Sequence, residues 1–393
     1  MSAAGPPQGA NRSPTGGSAA ANAASVGGSI RLRLEARPEP SRLAGWLSPL
    51  AAALATLVVG FVLFSWLGKN PFTAFHAFFV KPVADAYGVS ELLLKASPLI
   101  LIATGLAAGY RANVWNIGAE GQLLVGAVAG GGLALAFPET TSPLLLPAMI
   151  VAGALGGMAW AAIPAFLRTR FNANEILVSL MLVYVATHLL SWLVHGPWRD
   201  PEGFNFPQSR LFHEAALLPP LFEGLRVNAG LFVALAIVAA GYLFMQKSLA
   251  GFQMRVAGLA PAAANYAGIS SNRNVWMGLL IGGGCAGVAG VQEAAGPVGQ
   301  LLPTLSPGYG FAAIIVAFVG RLHPVGVVFA ALLMSLLYLG GESAQLNLAL
   351  PSAVTGLFQG TLLFFLLAAD VLIHYRLRVV RPARTPVPVP KGA

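Results

Sequence analysis

Ten apolar runs divide this sequence, near residues 46–68, 92–109, 118–137, 143–167, 176–196, 228–246, 274–292, 310–321, 324–340 and 354–375. All but the eighth have the roughly 17–25 residues that a helix needs to cross a bilayer. The eighth is too short to cross alone. It is re-entrant or fused with its neighbour, which makes the span count ten or nine. Only 9% of the 393 residues are charged and 56% are hydrophobic, against about 25% charged in a soluble domain. The expected fold class is therefore all-α: a polytopic transmembrane helix bundle of about ten spans.

The formal charge of +9 raises the question of nucleic acid. The positions of the charges answer it. Lys and Arg stand mostly at the ends of apolar runs, with no dense basic patch interleaved with aromatics, so no nucleic-acid partner is expected. With ten crossings, seventeen of the 23 basic residues fall on the side that holds both termini. The positive-inside bias makes that side cytoplasmic. The expected organisation is a disordered cytoplasmic tail with a basic end over 1–44, a transmembrane domain over 45–376 and a short cytoplasmic tail over 377–393. The lone Cys285 excludes an internal disulfide.

From the end of the second run into the third stretches Tyr110 to Gly130, YRANVWNIGAEGQLLVGAVAG. Asn116, Glu120 and Gln122 sit there among glycines with long apolar sequence on both sides. Polar, glycine-broken backbone survives at membrane depth only where protein buries it or where it faces water. These three residues are read as lining or supporting a polar pathway, with Glu293, at the end of the seventh run, as a further candidate. Glycines recur four apart at Gly126/Gly130, Gly153/Gly157, Gly278/Gly282 and Gly283/Gly287, a spacing that lets helix backbones approach closely.

Two connecting segments are long. Residues 197–226 are rich in Pro with mixed charge and form an outer loop, a docking surface only in the less favoured reading. The inner segment 247–273 holds Pro261 followed by Ala262 to Ala264, a good helix start, and Gly268, a good stop. A short cytoplasmic helix flanked by basic residues reads as a contact for another protein.

Several chemistries are absent. The sequence contains no GxxxxGK[ST] phosphate loop and no GxSxG. Its six His are scattered, and His188 and His195 are expected to be packed or interfacial. Nothing argues for an enzyme, and no cofactor or metal is expected on this chain.

Three stretches carry a family resemblance that covers roughly residues 45–375: Asn116-Ile-Gly-Ala-Glu-Gly-Gln122; Arg255-Val-Ala-Gly258 with Ala263-Ala264 and Ala267-Gly268-Ile269; and Gly308-Tyr-Gly-Phe311 through Gly320-Arg-Leu-His-Pro-Val-Gly326. The chain resembles the permease subunit of bacterial ATP-binding-cassette importers. The branch is the one for branched-chain amino acids, simple sugars and nucleosides, and the likeness is nearest to nucleoside-type permeases. The resemblance implies residence in the bacterial inner membrane and ATP hydrolysis by a separate ATP-binding subunit. It also implies a second homologous permease subunit and an extracytoplasmic substrate-binding protein. It makes 247–273 the coupling loop, with Arg255, Gly258, Ala263, Ala264 and Gly268 docking the ATPase. One departure is that Ala260 and Ala262 stand where similar proteins often carry Asn and Glu. The expected cargo is a nucleoside, with a pentose-like sugar as the alternative. An ion-coupled secondary transporter with Glu120 or Glu293 as its proton-coupling carboxylate is the rival from another class, and a non-transporting scaffold is the third.

Overall fold

The structure, a computed structural model, describes residues 31–36, 42–351 and 353–380. The side chains of 31–49, of 371–380 and of several residues near the C-terminus, Gln359 and Asp370 among them, lie outside the description. The helices in order are α1 (Arg42–Trp66), α2 (Pro71–Phe75), α3 (Ala86–Arg111), α4 (Ala119–Ala136), α5 (Leu145–Phe171), α6 (Glu175–His195), α7 (Gly230–Lys247), α8 (Leu249–Leu259), α9 (Pro261–Tyr266), α10 (Ser271–Glu293), α11 (Tyr309–Val319), α12 (Pro324–Leu348) and α13 (Ala353–His374). Seven of them, α3 to α7, α10 and α12, are long and apolar enough to cross a membrane; α1 and α11 add shorter apolar stretches, Leu50–Trp66 and Tyr309–Val319.

The local sequence explains where these helices begin and end. Asp85 accepts a hydrogen bond from the Gly88 amide at 2.7 Å and starts α3. Asn174 accepts from Ile176 and Leu177 and starts α6. Ser248 and Ser270 cap α8 and α10 in the same way. Each side-chain oxygen satisfies one of the orphan amides of a first helical turn. Asn172, in the left-handed region at φ 53°, ends α5.

The element order repeats. Each half runs as a long helix, one or two short helices, a long buried helix, a helix that starts after a break, and two further long helices: α1 to α6, then α7 to α13. The long buried spans α3 and α10 pack on each other at the centre, α4 packs on α10 and α5, and α11 packs on α3 and α12.

Glycines set the closeness of the centre, and all four spaced pairs fall at helix contacts. A Cβ at Gly126 would run into Gly287, one at Gly157 into the Gly283 carbonyl, and one at Gly130 within 2.9 Å of the Met149 carbonyl; one at Gly278 would stand 3.1 Å from the Gly109 Cα. Close backbone approach gives dispersion contact where burial from lipid supplies little. At the edge, Phe64, Phe78 and Phe358 stack to join α1, the π-helical turn His76–Val80 and α13.

Several details differ from the sequence expectation. α12 continues to Leu348, so Glu342, Gln345 and Asn347 lie within a helix and not beyond one. Segment 247–273 folds as two short helices, because Ser248 nucleates α8 ahead of the Pro261 start. Residues 31–36, placed by sequence in an unstructured tail, form strand β1 (Arg31–Ala36), which pairs antiparallel with β2 (Tyr375–Val380), Arg33 opposite Arg378 and Glu35 opposite Arg376. The strand pair adds one short ribbon to an otherwise all-helical fold, made from the first and last described segments.

Candidate functional site

The α3–α4 junction is a polar knot at half-depth. Asn116 stands against Gly282, near the middle of the 23-residue α10. Its side-chain amide pairs reciprocally with that of Gln122: Asn116 Nδ2 donates to Gln122 Oε1 at 2.8 Å, and Gln122 Nε2 donates to Asn116 Oδ1 at 3.1 Å. Asn116 Oδ1 also accepts from the Gly118 amide at 3.0 Å, and the Tyr110 hydroxyl donates to the Asn116 carbonyl at 2.9 Å. Tyr110, Trp115 and Phe318 stack together beside the knot.

Glu120 lies in the first turn of α4, and its Oε2 accepts from the Gly310 amide, in the first turn of α11, at 2.6 Å. One carboxylate thus serves the amide-bearing, partially positive ends of two helices that begin at the same depth. Gly310 is glycine because a Cβ there would collide with the Glu120 backbone. Ser306 Oγ accepts from the Gly308 and Tyr309 amides. Asn116, Glu120 and Gln122 are 2%, 6% and 1% exposed, so all three are enclosed and bonded to one another's surroundings.

Glu293 is elsewhere. It ends α10, half-buried, in the field of Lys95, Arg226 and Glu91. Around it Lys95 pairs with Glu342 at 2.9 Å and Arg226 with Glu91 at 3.2 Å, while the Ser90 hydroxyl accepts from the Arg226 and Val227 amides. These bonds tie α3, α12 and the segment before α7 at one end of the bundle.

The opposite end carries α8 and α9. A Cβ at Gly258 would strike the Arg111 carbonyl, and Met254 is buried with Ala112, Val114 and Val275. α8 is thereby seated on the last turn of α3, a few residues before the Asn116 knot. Of the five expected docking residues, Arg255, Ala263 and Gly268 are exposed, Ala264 is buried and Gly258 is half-buried against α3. Sequence reasoning missed the exposed apolar groups of the same surface: Leu249 at 72%, Phe252 at 60%, Leu259 at 77% and Tyr266 at 97%. The spacing of Leu249, Phe252 and Leu259 is the helical signal that was available.

The family model for the permease component of branched-chain amino acid transport systems matches residues 88–367. The chain is 37% identical to the glucose ABC transporter permease protein of Haloferax volcanii, over 88% of this chain and 95% of that one. It is 31% identical to the guanosine ABC transporter permease protein of Bacillus subtilis, over 82% and 93%, and 27% identical to a nucleoside ABC transporter permease protein of Lactococcus lactis, over 81% and 90%. No solved structure matches. This multi-pass membrane chain belongs to the branched-chain amino acid transport system permease family, whose sugar and nucleoside members are permease subunits of ATP-binding-cassette transporters.

Proposed function

We propose that this permease carries a neutral nucleoside inward, received from an extracytoplasmic binding protein and driven by ATP that a separate subunit hydrolyses. The carrying observation is the seating of α8 and α9. Their outer surface presents Phe252, Leu259 and Tyr266 to a partner, and the inner surface of α8 rests on the end of α3. A push on that surface reaches the Asn116–Glu120 junction, where α4 and α11 begin. Broken helices meeting at mid-depth are where transporters change access. Ten crossings, with both termini and the α8–α9 surface in the cytoplasm, fit the charge bias and the antiparallel pairing of β1 with β2. A sugar is the second reading, favoured by the likeness to a glucose permease. The test is uptake of radiolabelled guanosine and glucose by liposomes holding the assembled transporter, with its binding protein outside. Uptake that requires enclosed ATP is expected. Uptake driven by a proton gradient without ATP would overturn the reading in favour of an ion-coupled carrier.

A further inference from the structure

The outward faces of the spans differ in chemistry. α1 exposes Leu54, Val58, Phe61 and Val62, and α5 exposes Val151, Leu155, Ile163 and Phe166. Those are the apolar stripes that lipid tails accommodate. α6 exposes Leu177, Met181 and Val185 over its first half, and from its middle onward the same side carries Tyr184, His188, Trp192 and His195 at helical spacing. Trp192 is 63% exposed and Tyr184 59%. Tyr184 sits near the middle of this 21-residue helix, about 14 Å from its start.

Hydrogen-bonding and ionisable groups at that depth face protein or water, not hydrocarbon. Among the described residues, the Tyr184 hydroxyl, the His188 ring and the Trp192 indole make no hydrogen bond. His195 Nδ1 lies 2.7 Å from the Ser191 carbonyl oxygen, so that nitrogen carries the hydrogen and Nε2 is left to accept from another molecule. A second feature lies next to the stripe in sequence. Directly after His195, the chain lines a cavity of about 300 Å³ with Pro197, Trp198, Arg199 and Arg210, closed on the other side by Gly132 and Leu135 of α4. The Trp198 ring lies so close over Gly132 that a Cβ there would stand 2.7 Å from it.

We propose that the Tyr184–His195 face of α6 is a wall of the solute passage, entered from the Trp198 cavity, and that it takes an uncharged, ring-bearing solute in transit. The proposal rests on the importer reading above, in which the second permease subunit supplies the opposite wall. The stripe has aromatic faces for a planar base or the apolar face of a sugar ring. It has imidazoles for hydroxyl and amide groups, and the fixed charges, Arg199 and Arg210, stand in the cavity at its mouth and not along the stripe. It places the passage on the chain's outer face, one helix away from the enclosed Glu120 junction.

The test uses the whole transporter in cells, with Cys285→Ser as background and single cysteines at His188, Trp192, Leu155 and Arg199. The probe is a membrane-impermeant trimethylammonium methanethiosulfonate reagent. His188→Cys and Trp192→Cys are expected to be modified, with loss of uptake on modification, while Leu155→Cys stays unmodified. Arg199→Cys in the outer loop reports that chain and reagent meet. His188 and Trp192 cysteines that stay unmodified while Arg199→Cys reacts would overturn the proposal. Should the unmodified transporter show no ATP-dependent uptake, the importer reading fails, and the labelling pattern still reports whether the face is wet.

Discussion

The Gly310 amide donates to the Glu120 carboxylate at 2.6 Å across 190 residues of sequence, joining the first turn of α11 to the first turn of α4. Helix starts at membrane depth have no water to satisfy their amides. Glu120 supplies that acceptor from within the chain, and an acceptor oxygen suits the partially positive end of a helix.

Replacing Glu120 by Ala leaves the Gly310 amide unpaired and is expected to lower stability by about 1–3 kcal/mol or more. Glu120→Gln keeps an oxygen in place and should cost less. Thermal unfolding of the detergent-purified protein checks the order. Equal losses for Ala and Gln would show that the acceptor geometry is unimportant.

The Asn116–Gln122 amide pair makes a second, internal check. Asn116→Leu strands both the Gln122 amide and the Gly118 amide, at roughly 1–3 kcal/mol. The double variant with Gln122→Leu should cost less than the two single losses added together, with a coupling of about 0.5–3 kcal/mol. Strict additivity in the melting data would mean that the two side chains do not act as a pair.

Gly287 lies where α10 meets α5, and a Cβ there would enter the Gly153 carbonyl. Gly287→Ala is expected to cost about 1–3 kcal/mol by overpacking and to reduce the folded yield in membranes. Gly356→Ala, with nothing within 4 Å of the new Cβ, should leave yield and melting unchanged. Size-exclusion profiles of the tagged proteins compare the two.

Phe252→Asp and Tyr266→Asp place charge on the exposed surface of α8 and α9 without touching the core. Both variants should insert and melt normally yet lose the ATP-binding subunit on purification. Retention of that subunit by the double variant would move the docking site elsewhere.

Much of this architecture is readable from local sequence. The apolar runs, the Asn116–Gln122 break, the four glycine pairs and the Pro261 helix start are each written within a few residues. What escaped is long-range. The partner of Glu120 is 190 residues away, so the carboxylate read as a pathway group is seen only in the fold to be enclosed. α8 is eleven residues, too short for its period to stand out in an apolar chain. Of the two readings open for His188 and His195, packed or interfacial, the bundle leaves both side chains exposed, because which face of a helix is covered depends on neighbours that no single helix specifies.

The most direct measurement is purification of the tagged chain from its native membrane, with identification of what accompanies it. An ATP-binding subunit and a second permease are predicted to co-purify with the intact chain and the ATP-binding subunit to be lost with Phe252→Asp/Tyr266→Asp. A chain that emerges alone and moves solute into liposomes under an ion gradient would contradict the account.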